Sequence, residues 1–290
     1  MTIKTILCVL DGGEASASAL QTAILAGQSL GCYVEVLHVQ LDPQNAVPLA
    51  ADGMTATMVE EIVESVQSEG NRRRAVVEGL YRSQVVDAGL PTVPAGVPGQ
   101  NGFVVAERVV RGREHEVVAS YGMLFDLLVA TRRHGRGEPA APPTLEAAIM
   151  DSGRPVIVAP AAPPEVLGKH VAIAWRATVA GVHALAGAVD LLAQAESVTV
   201  ITVDEYGTER AEPQDVVNYL TYHGAQARAR HVEQTPRREA GQMILDEAQA
   251  AGADLLVMGA YAHSRLRQLI LGGVTRKVLR ASNIPLLLAH

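Results

Sequence analysis

Apolar residues in this chain gather in short aliphatic runs set off by polar, glycine or proline positions. Lys4 to Leu10 (KTILCVL), Val34 to Val39 (VEVLHV), Asp126 to Ala130 (DLLVA) and Ser152 to Pro160 (SGRPVIVAP) are such runs. Each has the length and β-branched or aliphatic content of a strand buried in a parallel sheet. Between the first two, Ser16 to Leu30 repeats Ala and Leu at three- and four-residue spacing, which predicts a helix. Strand, helix, strand in that order predicts a right-handed parallel crossover.

The same four runs return in the same order. Lys169 to Trp175 (KHVAIAW), Val198 to Val203 (VTVITV), Asp254 to Met258 (DLLVM) and Ser282 to His290 (SNIPLLLAH) answer the first set, with a helical pattern over Ala180 to Ala195. The first two pairs are separated by about 165 residues and the last two by about 130, the signature of a repeat with one copy expanded. The difference places an insertion of about 36 residues between Gln40 and Phe103. Further helices are expected near Thr55 to Val66 and Gln214 to His223, strands near Val104 to Val110 and Ala227 to Glu233, and a helix over Arg238 to Ala251. One more helix is expected between each DLLV run and the last strand. The fold class that results is α/β: two tandem doubly wound, Rossmann-like domains, each with a five-stranded mostly parallel sheet. Residues 1–162 and 168–290 are the expected domains, joined by the proline-rich segment Ala159 to Pro164, and Pro155 and Pro285 fall at the starts of final strands, where a missing N–H is tolerated.

Composition agrees with that architecture. A length of 290 residues suits two domains, and 48% hydrophobic with only 3% aromatic residues means cores of Ala, Val, Leu and Ile. The formal charge of −7 argues against general nucleic-acid binding. Two cysteines without a CxxC spacing point to neither a disulfide framework nor a zinc site. The few apolar residues before Asp11 are too short for a signal-peptide core, and no apolar run approaches the roughly 20 residues of a membrane span. A cytoplasmic protein in a reducing compartment is expected.

Three patches suggest a family: Asp11-Gly12-Gly13-Glu14-Ala15-Ser16, the paired DLLV runs, and Met258-Gly259-Ala260-Tyr261-Ala262-His263-Ser264-Arg265 leading to Leu271-Gly272-Gly273-Val274-Thr275. Together they resemble the universal stress protein family, over nearly the whole chain as a tandem pair. The resemblance implies a G-x2-G-x9-G-(S/T) loop after the fourth strand that wraps the ribose and phosphates of ATP in members that bind it. It also implies an Asp ending the first strand and a backbone group after the second strand, holding the adenosine end. Glycines in such a loop let the backbone approach phosphates that face the N–H groups of a following helix.

Neither half carries that motif whole. In the second half Gly259 and Gly272 keep the separation, while Ala262 replaces the middle glycine, Gly273 the Ser/Thr, and Arg176 the first-strand Asp. The cofactor the resemblance implies is ATP or AMP, in a second-half site built from Arg176, Val203, Gly259, Ala262, His263, Arg265, Gly272, Gly273, Val274 and Thr275. The first half keeps Asp11 and Ser16 but lacks the glycine loop, with prolines at 139, 142 and 143; it is expected to be a structural copy. Several residues carry two readings. Asp11 is a turn and helix-start residue or a ligand group, Gly259, Gly272 and Gly273 are a phosphate loop or a tight strand-to-helix turn, and His263 and Arg265 are loop ligands or solvated surface. Trp175 packs at the mouth of the second sheet or stacks on a purine. Arg72-Arg73-Arg74 reads as an exposed face or helix end, and Arg132, Arg133, His134 and Arg136 as an anion site in the first-half loop or a flexible surface turn. The sequence lacks a nucleophile elbow, an HExxH and a P-loop, so no catalytic residue is named. A non-enzymatic stress or regulatory protein is expected; a protein-interaction scaffold without nucleotide, with an unidentified protein partner, is the alternative, and a weak ATPase the third reading. By the same resemblance the two halves pack as a pseudo-dimer through their last strands, and a homodimer of the chain is a further expectation.

Overall fold

Ile6 to Val9 offer no polar side chain to solvent, and the strand they help form, β1 (Thr5–Val9), lies sealed inside a sheet. The computed structural model describes residues 2–42, 55–97, 102–132, 142–204, 213–233, 238–260 and 273–290. After β1 come α1 (Ser16–Leu30), β2 (Tyr33–Gln40), α2 (Ala56–Tyr81), β3 (Val104–Arg111), α3 (Glu114–Gly122), β4 (Leu127–Ala130), α4 (Pro143–Met150) and β5 (Val156–Val158). The second half repeats the order with β6 (His170–Ala174), α5 (Val179–Gln194), β7 (Ser197–Asp204), α6 (Pro213–Tyr222), β8 (Ala227–Glu233), α7 (Ala240–Ala250), β9 (Leu255–Gly259), α8 (Gly273–Ala281) and β10 (Leu286–Ala289).

All the strands join one ten-stranded sheet in the order β3-β2-β1-β4-β5-β10-β9-β6-β7-β8. Every neighbouring pair is parallel except β5 with β10, which run antiparallel with Ile157 opposite Leu287. The last strands therefore join the halves, as the resemblance implied. Helices cover both faces, and the two apolar layers, one around Ile6, Ile157 and Leu287 and the other around Leu7, Val156 and Leu288, each run through both halves. In each half the strand order reverses beside the first strand, between β1 and β4 and between β6 and β9. The crevice outside the carboxyl ends of the strands at such a reversal is where doubly wound sheets bind ligands.

The insertion departs most from expectation. The helix expected to end near Val66 continues to Tyr81 and runs into a π-helical turn at Arg82–Val86. Pro91 and Val93 then flank β3, with the Val105 amide donating to Pro91 and the Val93 amide to Val105, so the insertion covers a sheet edge that would otherwise present unpaired groups. Arg72-Arg73-Arg74 lies inside α2 rather than at its end. All three pair along the helix, Arg72 and Arg73 with Glu69 and Arg74 with Glu78, and Arg73 also packs its backbone over Gly12.

Arg132 corrects a second expectation. It is not part of a surface turn but buried, at 4% exposure, and donates to the carbonyls of Leu279 and Ser282 at the end of α8. Those carbonyls are the unpaired acceptors of a helix C-terminus, where a cation is favoured. Arg133, His134 and Arg136 lie outside the described residues.

Candidate functional site

Asp11 follows β1 and turns the chain toward α1. Its Oδ1 accepts from the Gly13 amide at 2.9 Å and from Ser16 Oγ at 3.0 Å, supplying the helix start that Ala15 at the cap cannot. Gly12 takes φ +73°, and a Cβ there would come within 2.6 Å of the Arg73 carbonyl oxygen. Only glycine lets α2 lie this close to the turn.

Beneath α2 the carboxyl ends of β1, β2 and β4 enclose a cavity of about 480 Å³. Among the described residues Asp11, His38, Glu69, Arg73, Glu114 and His115 are its titratable lining, and Val9, Val39, Leu41, Val66 and Ala130 are apolar lining. His38 is 2% exposed, and its Nδ1 lies 2.8 Å from the carbonyl oxygen of Leu10. A carbonyl only accepts, so Nδ1 carries the proton and Nε2 is left as an acceptor in the neutral ring. Nε2 is buried with no partner among the described residues. Glu114 Oε1 accepts from Thr144 Oγ1 at 2.5 Å, on the first turn of α4. Burial raises the Glu114 carboxyl above its ordinary range; the Thr144 hydrogen bond opposes this, Asp11 adds to it, and His38 and Arg73 oppose it.

The second-half crevice has the opposite character. Matching strand registers place Arg176 where the first half has Asp11. Trp175, one residue earlier, donates its amide to Ile201 at 2.8 Å, and its indole Nε1 is buried with no acceptor among the described residues. Val203 is half-buried near the end of β7, opposite Val232. Gly259 ends β9, and a Cβ there would meet the Gly181 nitrogen at 2.5 Å and the Ala180 carbonyl carbon at 2.7 Å. Close packing on α5 alone thus requires a glycine at 259, and its φ is not positive. Gly273 opens α8, and nothing among the described residues lies within reach of the position of a Cβ there. Val274 packs on the core, and Thr275 is 5% exposed. Ala262, His263, Arg265 and Gly272 lie outside the described residues.

Most of the titratable lining of the first-half cavity is not announced by the sequence, His38 and Glu114 among it. His38 carried a signal, a titratable ring inside the apolar run VEVLHV; Glu114 carried none, since nothing local announces a partner thirty positions on.

Comparison with known proteins covers the halves unequally. The model of the universal stress protein family matches residues 168–290. A universal stress protein of Synechocystis, Slr1230, is 56% identical over 34 residues, which is 12% of this chain and 12% of that protein's length. Among solved structures, a universal stress protein from Archaeoglobus fulgidus superposes over 98% of this chain and 95% of its own, at 17% identity and a TM-score of 0.64. A Pseudomonas aeruginosa protein assigned to the universal stress proteins covers 99% of this chain and 93% of its own, at 15% identity and a TM-score of 0.58. These likenesses establish the shared fold across both halves. Among the described residues no helix is long and apolar enough to cross a membrane. Residues 168–290 of this chain are therefore a universal stress protein domain, and the residues before them carry a second copy of the same fold.

Proposed function

We propose that this chain is a non-enzymatic, cytoplasmic stress-response regulator whose second half holds an adenine nucleotide, ATP or AMP, at the carboxyl edge of its strands. The observation that carries this reading is the donor-rich character of that edge. Arg176 stands where the first half has an acid, the buried Trp175 indole N–H has no acceptor among the described residues, and α8 begins at Gly273. A purine offers acceptor nitrogens and a π-face to a guanidinium. The free N–H groups of a helix N-terminus suit phosphate. The non-enzymatic part rests on the sequence, which carries none of the nucleophile or P-loop motifs.

The first test is mass spectrometry of nucleotides released from the purified protein, followed by calorimetry with ATP. Binding in the micromolar to millimolar range is expected; no released nucleotide and no heat at millimolar ATP would overturn it. Ala262→Gly combined with Gly273→Ser restores the family loop and is expected to tighten binding. Phosphate release with magnesium and ATP would favour the ATPase reading. The scaffold reading draws on Val179 and Val182, 71% and 51% exposed on the first turns of α5, and gains if nucleotide binding fails.

A further inference from the structure

The sheet ends in β3 on one side and β8 on the other, and the two ends are finished differently. These strands are equivalents in the two halves, with Val34 opposite Val105 in the first and Val198 opposite Ala227 in the second. On β3 the chain supplies its own extra pairing: the Val105 amide donates to Pro91, and the Val105 carbonyl accepts from the Val93 amide. Ala227, the counterpart of Val105, has no such cover among the described residues. The Val198 amide donates to the Gln226 carbonyl, so the two-residue alternation of a strand aims the backbone groups of Gln226, Arg228 and Arg230 at β7. Those of Ala227 and Ala229 then point outward, and every residue from Arg228 to His231 is exposed. A bare edge of this kind is a template for another strand.

The side chains beside that edge determine which strand fits. Arg228 and Arg230 stand on the side of α7. Glu247 holds Arg230 at 2.8 Å, whereas Arg228 donates its Nε to Thr199 Oγ1 at 3.2 Å and has no carboxylate partner among the described residues. A planar guanidinium with its terminal nitrogens unused suits an incoming carboxylate. Ala229 stands on the side of α6, and α6, which packs against β8, exposes Tyr219 and Tyr222. A second copy of β8 fits poorly. Antiparallel pairing centred on Ala229 sets Arg228 opposite Arg230, and pairing centred on Arg230 sets that residue opposite itself.

We propose that the outer edge of β8 is a docking site for an extended acidic segment of a partner protein, which adds one more strand to the sheet and alternates carboxylates, beside Arg228, with apolar side chains, beside Ala229. The backbone of Ala227 and Ala229 supplies the pairing, and Arg228 selects for acid. The partner does for the second half what Pro91 and Val93 do for the first within the chain. The site stands apart from the nucleotide crevice at β6 and β9, with β7 between them.

Fluorescence anisotropy on the full chain tests this, with one labelled peptide alternating glutamate and valine and another alternating lysine and valine. The glutamate peptide is expected to bind with a Kd below about 100 μM and the lysine peptide at least about tenfold more weakly. Ala229→Pro removes an outward N–H but none of the bonds to β7, so the variant should keep the parent circular dichroism and lose the peptide. Arg228→Gln should weaken the glutamate peptide at least about fivefold, as loss of a charge-assisted hydrogen bond does. Bound peptide should also slow hydrogen exchange of the Ala229 amide, which attraction between charges alone does not do. Failure of the glutamate peptide to bind the folded chain, equal affinity for the lysine peptide, binding that survives both substitutions, or unchanged exchange at Ala229 would each overturn the proposal. So would a dimer of the chain that Ala229→Pro dissociates.

Discussion

Glu114 shows how a single buried carboxylate is a cost to the fold. Burial raises its pKa in the folded chain, so the folded state is favoured relative to the unfolded one in acid, and that advantage is lost as pH rises through the folded value. Glu114→Gln removes the penalty. The variant should be more stable than the parent near pH 7.5, with the difference shrinking toward pH 4, as read from urea midpoints across that range. Glycines divide by a similar logic. Gly12→Ala meets the Arg73 backbone at a positive φ and is expected to cost about 1–3 kcal/mol. Gly31→Ala has a positive φ but open space, and should cost only about 1 kcal/mol. In the second half Gly259→Ala should destabilise with or without nucleotide, because its neighbours are backbone atoms of α5, whereas Gly273→Ser should fold normally. Differential scanning calorimetry of the four variants checks the order.

At the scale of elements, the helix starts beside the two crevices are built differently. In α5 the Thr178 hydroxyl accepts from the Gly181 amide at 3.1 Å, an ordinary cap. Thr178→Ala should therefore cost about 1 kcal/mol in urea unfolding, the usual value for a lost cap. The start of α1 depends instead on Asp11, which reaches across from the end of β1. In α2 the exposed pairs of Arg72 with Glu69 and Arg74 with Glu78 hold side chains that water also solvates, so they add little to the stability of the helix. Arg74→Ala should shift the urea midpoint little. The value of α2 lies in its contact with Gly12 and in closing the cavity, which its surface charges do not decide.

Across the whole molecule, the antiparallel pairing of β5 with β10 makes two repeats into one sheet. Ile157 and Leu287 are both fully buried at that seam, and Ile157→Ala should cost about 2–5 kcal/mol through lost burial and the cavity left behind. Further links cross the halves: the Ile3 amide donates to Asp190, Ser29 to Gln194, and the buried Arg132 to the end of α8. Burial lowers the Arg132 pKa to about 10, still far above neutral pH, so the guanidinium stays charged and its carbonyl partners are needed. The halves should consequently unfold together. Trp175 is the sole tryptophan and sits in the second half, so its fluorescence and the far-ultraviolet circular dichroism of the whole chain should give coincident urea transitions.

The sequence by itself determined the strands, most of the helices, their repetition, and the place of the insertion. Those features are written in neighbouring residues, as apolar runs and as spacings of three and four, and β8 and α1 fall where that periodicity places them. It also marked Asp11 and Arg176 as the divergent ends of two equivalent strands. Only the tertiary structure decided what those ends face. His38 meets Leu10 twenty-eight positions away, Glu114 meets Thr144 thirty away, and Arg132 meets Leu279 one hundred and forty-seven away. Hydrogen bonds and burial between such distant residues leave no period in the chain. The polarity of each crevice is therefore set by which side chains the folded sheet brings together.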